Sequence, residues 1–249
     1  MKLQLLRNAT MRIEYAGKTI LTDPMLEEKY KYDSFVGRSP NPLVDLPMSI
    51  EEILSGLDAC IISHLHLDHF DPKAQEVLTR DLKVFCPPVD AENIKSVGLT
   101  NVEAIEDSVN WEGIEITRTP GRHGDNLWHK QMGEVSGFIL RAENEPTVYW
   151  VGDSVFYEEV ENVINENKPD VIIIHASGDR FGNAPPVIMD TEQTLGICKF
   201  APDATIVAVH MESMDIFKIT RDSLRNVADK HHVSADHLLI PLDGDVLEF

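Results

Sequence analysis

The chain has 249 residues, 43% of them hydrophobic and 26% charged, enough to bury a sizeable core and too ordinary in composition for global disorder. Its 22 Lys and Arg against 42 Asp and Glu leave a net charge of −20, which argues against nucleic-acid or anionic-membrane partners. Cys60, Cys86 and Cys198 are too scattered for a disulfide framework, and no apolar run approaches the ~20 residues of a bilayer span, so a reducing cytoplasm is the expected setting.

Met11, Ile13 and Tyr15 alternate with Arg12 and Glu14, Ala16-Gly17-Lys18 turns the chain, and Thr19 to Thr22 returns it, which predicts a hairpin stopped by Asp23-Pro24. Residues 25–48 carry Pro40, Pro42 and Pro47 with little periodicity, and a loop of that length points to an active-site flap. Ser49 to Glu52 reads as a capping box for a short helix ended by Gly56. Then a strand (58–62), a polar loop (63–70) and a helix capped by Asp71 with Pro72 at its first position follow one another. A further strand (83–86) and helix (90–96) continue the alternation. The middle of the chain turns to β structure over 102–105, 108–111, 114–119, 135–141 and 147–151. Alternation then resumes, with strands near 171–174, 206–209 and 238–240 and helices near 155–165, 191–200 and 221–232. Two β-then-α/β halves imply two packed sheets with helices outside, an α/β (α+β) fold in a single domain spanning 1–249.

The chemistry concentrates in Ser63-His64-Leu65-His66-Leu67-Asp68-His69, directly after the apolar strand. His64 and His66 stand two apart, so on extended backbone they project to one side, where one metal can take both imidazoles. Asp68 and His69 follow where a second metal is within reach, while Leu65 and Leu67 are expected to point into the core. His123, Asp153 and His210 each follow an apolar strand, the place where open α/β architectures put functional groups.

With these residues in place the chain resembles the metallo-β-lactamase superfamily, and its hairpin ending in Asp23-Pro24 is similar to the branch that contains L-ascorbate-6-phosphate lactonase. The resemblance implies a four-layer αβ/βα sandwich with a dinuclear metal site along one edge. Carried over, His64, His66 and His123 bind the first metal, Asp68, His69 and His210 the second, and Asp153 bridges. Two divalent cations in such a set lower the pKa of a water held between them toward neutrality. The expected activity is therefore hydrolysis, by a metal-bridged hydroxide, of a small anionic molecule, a lactone or ester ahead of a phosphodiester. Asp153 and Asp68 are the catalytic candidates, Asp68 also as a proton shuttle. Zinc suits the donors best, with manganese or iron as alternatives. An iron-dependent oxidoreductase on the same scaffold is the alternative of another class. Asp23, Arg122, His129, His175 and Arg180 are candidates for substrate contact, the cationic ones because a basic group near the centre of so acidic a protein could pin an anion. The expected partner is a small-molecule substrate, with homo-oligomerisation left open.

Overall fold

The computed structural model describes the backbone of residues 1–249 and every side chain except that of Asn126. Three antiparallel strands open the chain: β1 (Lys2–Arg7), β2 (Thr10–Tyr15) and β3 (Lys18–Thr22). Along β2 the alternation acts as expected, with Met11, Ile13 and Tyr15 buried and Glu14 exposed. Helices then separate the strands: α1 (Ile50–Leu54), β4 (Ala59–Ile61), α2 (Pro72–Val77), β5 (Lys83–Cys86), α3 (Ala91–Ser96) and β6 (Val102–Ala104). From β3 to β6 the pairing is parallel.

The second half repeats the scheme. β7 (Ser108–Trp111), β8 (Ile114–Pro120), β9 (Ser136–Arg141) and β10 (Val148–Trp150) pair antiparallel, with α4 (Asn126–Met132) between β8 and β9. Then come α5 (Glu158–Asn167), β11 (Val171–His175), α6 (Thr191–Phe200), β12 (Thr205–Val209), α7 (Arg221–Lys230) and β13 (Leu238–Leu239), with β10 to β13 parallel. β14 (Val246–Glu248) returns to the first sheet beside β1. Each sheet has seven strands, in the orders β14-β1-β2-β3-β4-β5-β6 and β13-β12-β11-β10-β9-β8-β7.

Three buried layers explain the stacking. Between the sheets, Ile13, Tyr15, Ile61 and Phe85 meet Phe138, Trp150, Ile173 and Val207. Outside the first sheet, Ile53, Ala74 and Ile94 of α1, α2 and α3 cover Leu21, Cys60 and Val84. Outside the second, Val160, Ile197 and Leu224 of α5, α6 and α7 cover Tyr149, Ile172 and Ile206. This is the αβ/βα sandwich. Strands covered on both faces read as unbroken apolar runs, as Val171 to Ile174 does. Cys60, Cys86 and Cys198 are buried free thiols. No helix is long and apolar enough to cross a membrane.

Four elements differ from expectation. β1 and β14 pair with each other, a contact between chain ends that no local pattern announces. α4 occupies a segment with no predicted element. Helix α5 begins at Glu158 rather than Val155, where three acidic residues in the first turn suit the helix dipole. The 25–48 loop is tied down: buried Arg7 donates to the carbonyls of Met25 (2.7 Å), Glu27 (2.9 Å) and Val44 (3.1 Å).

Candidate metal centre

Parallel strands place their carboxyl ends on one edge, and both sheets send chemistry there. β4 leads into the 63–69 loop, β10 into Gly152-Asp153, β11 ends on His175, and β12 is followed at once by His210. Gly152 takes a φ of +71°, and a Cβ at that position would lie 2.7 Å from the Ser136 carbonyl oxygen, so the turn that delivers Asp153 requires glycine. His210 itself adopts a φ of 65°, a conformation costly for a side chain of its kind and held here at the centre of the site.

The seven expected ligands converge. Nε2 of His64 lies 2.9 Å from Nδ1 of His66, and Oδ2 of Asp153 is 3.3 Å from Nε2 of His123 and 3.7 Å from Nε2 of His64. On the other side, Nε2 of His69 is 3.2 Å from the same oxygen and 3.2 Å from Nε2 of His210, which in turn is 3.3 Å from Oδ2 of Asp68. Donor atoms of His64, His66, His123 and Asp153 all lie within 4.8 Å of one another, as do those of His69, Asp153, His175 and His210.

Each imidazole has its far nitrogen occupied, which settles what the near one offers. His66 donates through Nε2 to the Met132 carbonyl (2.9 Å), and His123 through Nδ1 to the Val187 carbonyl (2.9 Å). His69 donates through Nδ1 to Oδ2 of Asp23 (2.6 Å). The Ser63 hydroxyl gives its single proton to Asp23 (2.6 Å), so it accepts from Nδ1 of His64 (2.9 Å). Nδ1 of His210 faces the Ser177 hydroxyl at 3.3 Å. The inward nitrogens of His64, His66 and His123 are therefore lone pairs, and the His64 and His66 lone pairs facing at 2.9 Å repel unless a cation or proton neutralises them. Such a set, with outer partners fixing each ring, fits a divalent metal.

The ionisation states differ between the two ends: although burial alone would lower them, the carboxylates of Asp153, Asp68 and Asp23 push His69 well above the usual imidazole range, and Asp153 and Asp68 push His210 up. Burial pushes His64 well below the usual imidazole range and His123 down to about 4, so both are neutral donors at pH 7. Burial alone would raise Asp68 and Asp153, but His69 and His210 beside them hold both carboxyls below the ordinary range. Asn8 steadies Asp68 further, donating to its carbonyl at 2.8 Å and to Oδ2 at 3.2 Å.

A cavity of about 370 Å³ opens beside the cluster, reached by His66, Asp68, His123 and Asp153 and walled by Phe35, Leu67, Met132, Phe181, Val187, Ile188 and Ile216, with Asp179 among them. Leu67 thus faces the cavity rather than the core, because the chain turns between Leu67 and His69. Asp179 is buried, its Oδ1 has no hydrogen-bond partner among the described residues, and burial pushes its pKa up to about 7.

The residues expected to touch substrate lie elsewhere. Asp23 is fully buried behind the centre, where it accepts from His69 and from the Ser63 backbone and hydroxyl. His175 lies behind Asp153: Trp150 donates through Nε1 to its Nε2 (3.0 Å), so its Nδ1 carries the proton given to Oδ1 of Asp153 (2.5 Å). The three expected anion-binding groups do not line this cavity. Arg122 stacks over Tyr157 at 4.2 Å, Arg180 pairs with Asp190 at 3.1 Å, and His129 lines a separate depression with Arg118 and Lys130. Asn8, Ser63, Phe35 and Asp215 were assigned no role from sequence. Ser63 adjoins the histidine motif and could have been found there, whereas Asn8 meets Asp68 across 60 residues with no local signal.

The fold and this donor cluster define a metal-dependent hydrolase of the metallo-β-lactamase fold. The profile of the Beta-lactamase superfamily domain matches residues 18–211, and the chain belongs to that family. Over its whole length it is 37% identical to the UPF0173 protein YddR of Bacillus subtilis, also covered in full. It is 26% identical, with both chains fully covered, to a UPF0173 metal-dependent hydrolase of Azorhizobium caulinodans. Among solved structures it is similar to the isothiocyanate hydrolase from Delia radicum gut bacteria, with a TM-score of 0.95 and 35% identity over 100% of this chain and 99% of that one.

Proposed function

We propose that the chain hydrolyses small uncharged electrophiles carrying an apolar substituent, isothiocyanates being the class to test first. The observation that carries this is the cavity wall: the centre opens onto aromatic and aliphatic side chains, and among the described residues no Lys or Arg lines it. The small anionic lactone or ester expected from sequence would find no side-chain cation on this wall to bind its charge, so an uncharged electrophile fits it better. Likeness to an isothiocyanate hydrolase over the full chain supports the same choice.

His64, His66, His123 and Asp153 would hold one divalent cation, and His69, His210 and Asp68, sharing Asp153, a second. Bound there, such cations supply Lewis acidity and lower the pKa of water. The chain's own residues do the rest. Phe35, Phe181 and Ile216 exclude water from around the apolar substituent and orient the electrophilic carbon toward the cluster. Water adds across the C=N bond, its oxygen joining carbon and a proton reaching nitrogen. The hydroxyl proton of the resulting thiocarbamic acid then passes to nitrogen, which keeps the electron pair as the C–N bond breaks, giving an amine and carbonyl sulfide. Asp68, a carboxylate that reaches the cavity, is placed to take the proton from water, and Asp179, whose carboxyl burial pushes up, to deliver one to nitrogen.

The test is consumption of benzyl isothiocyanate, followed by its ultraviolet absorbance and by amine release. Zinc- or manganese-loaded protein is expected to turn it over and to stop when chelator is added. Inactive metal-loaded protein would overturn the assignment. Asp179→Asn is expected to lose roughly 100-fold in kcat. In the wild type the rate falls as rising pH ionises Asp179, whose carboxyl burial holds above the ordinary range, and the variant lacks that alkaline limb.

A further inference from the structure

The 25–48 loop reaches the cavity through Phe35, whose ring is 45% exposed and belongs to none of the buried clusters. Side-chain packing therefore does not fix its place; the main chain must. The main chain around it is gathered by one carboxylate, that of Asp215, across some 180 residues of sequence. Oδ1 accepts from the backbone N–H of Phe35 (3.0 Å) and from Nδ2 of Asn41 (2.9 Å). Oδ2 accepts from the Ser34 hydroxyl and from the N–H groups of Arg38 (3.2 Å), Val36 (3.4 Å) and Ser39 (3.4 Å). The Asp215 N–H returns a bond to Oδ1 of Asn41 (2.8 Å), and Tyr32 and Asn41 bridge the base of the turn through their backbones.

We propose that Asp215 is a positioning residue for the hydrolytic site: its carboxylate folds residues 33–41 around itself, holds Phe35 in the cavity wall, and so sets a preference for substrates with an aryl or similarly bulky apolar group. This rests on the function proposed above. Asp215 is 4% exposed; its carboxylate forms no ion pair among the described residues, and the Arg38 guanidinium reaches only its backbone carbonyl, at 3.4 Å. A buried charge without a counter-ion is costly unless hydrogen-bonded, so the charge requires the loop as much as the loop requires the charge. Burial alone would raise the Asp215 carboxyl, yet the donors from Ser34, Asn41, Phe35 and Arg38 hold it well below the ordinary range. Ile216, the next residue, lines the same cavity, so one short segment sets both an aliphatic wall and the aromatic one.

The experiment uses the full metal-loaded chain in four forms: wild type, Asp215→Ala, Phe35→Ala and the double variant. The readouts are amide hydrogen exchange over 34–41 and the ratio of kcat/KM for benzyl over methyl isothiocyanate, with metal content as the control for folding. In Asp215→Ala, exchange at Phe35, Val36, Arg38 and Ser39 is expected to rise at least roughly tenfold. The benzyl-over-methyl ratio is expected to fall roughly tenfold in either single variant and no further in the double, because both changes remove the same wall. Asp215→Asn, which keeps one acceptor oxygen, is expected to fall between. Unchanged protection over 34–41 would overturn the proposal, as would an additive double variant or an equal loss with both substrates at full metal content. If Asp215→Ala fails to retain metal, Phe35→Ala and Asp215→Asn decide the matter alone. A wild type that consumed neither isothiocyanate would refute the proposed substrate, and exchange would then judge the Asp215 clamp without reference to any substrate.

Discussion

The two ends of the histidine cluster share Asp153 but are held in different ways. At the end formed by His64, His66 and His123, the outer nitrogens rest on neutral acceptors: the Ser63 hydroxyl and the carbonyls of Met132 and Val187. Met132 and Val187 also wall the cavity, so the segments that would touch substrate are the ones that orient this end. At the other end, His69 rests on the buried carboxylate of Asp23, and Asp68 is steadied by Asn8 from the turn between β1 and β2. That end is anchored in the interior and richer in negative charge. The difference teaches that one donor cluster can be responsive on one side and insulated on the other. A carboxylate behind an imidazole makes it a stronger donor than a carbonyl does.

Removing the shared group should abolish the contrast. Asp153→Ala is expected to release metal from both ends, taking bound zinc or manganese from about two equivalents to none and costing more than the roughly 10–100-fold typical of losing an outer partner. Elemental analysis checks this, and full retention would show that Asp153 is not shared. Asp23→Asn should sharpen the contrast, weakening one equivalent by roughly 10–100-fold while the other is retained, as read by chelator competition. Equal weakening of both would mean that Asp23 serves His64, through Ser63, as much as His69. The smallest effect is expected of Ser177→Ala. Its contact to His210 is long at 3.3 Å, so a loss of about tenfold or less at the insulated end should follow in the same assay.

Much of this was legible in the sequence because it is local. His64, His66, Asp68 and His69 lie in six residues, and His123, Asp153 and His210 each follow a recognisable apolar strand, so spacing and strand ends carried the donor set. Fold class followed from the same alternation. What stayed hidden depends on distant pairings. The β1–β14 pair joins the two ends of the chain, and the Asp215 cradle joins residue 215 to residues 34–41. Arg122 and Arg180, expected at the substrate, lie off the cavity for a related reason. A cation near a ligand in sequence shows nothing of the Tyr157 ring or the Asp190 carboxylate that occupies it in space. Asp23 and His175 were noticed as chemistry, but their depth behind the centre could not be seen from a strand end.

The Trp150 indole gives the site an optical reporter. It is buried between the sheets, donates to His175, and through that ring is one hydrogen bond from Asp153. Any change in the electron density on that carboxylate passes to an imidazole in direct contact with a fluorophore. Emission from Trp150, with Trp111 and Trp128 replaced, should therefore follow the loading of the centre in real time without a label.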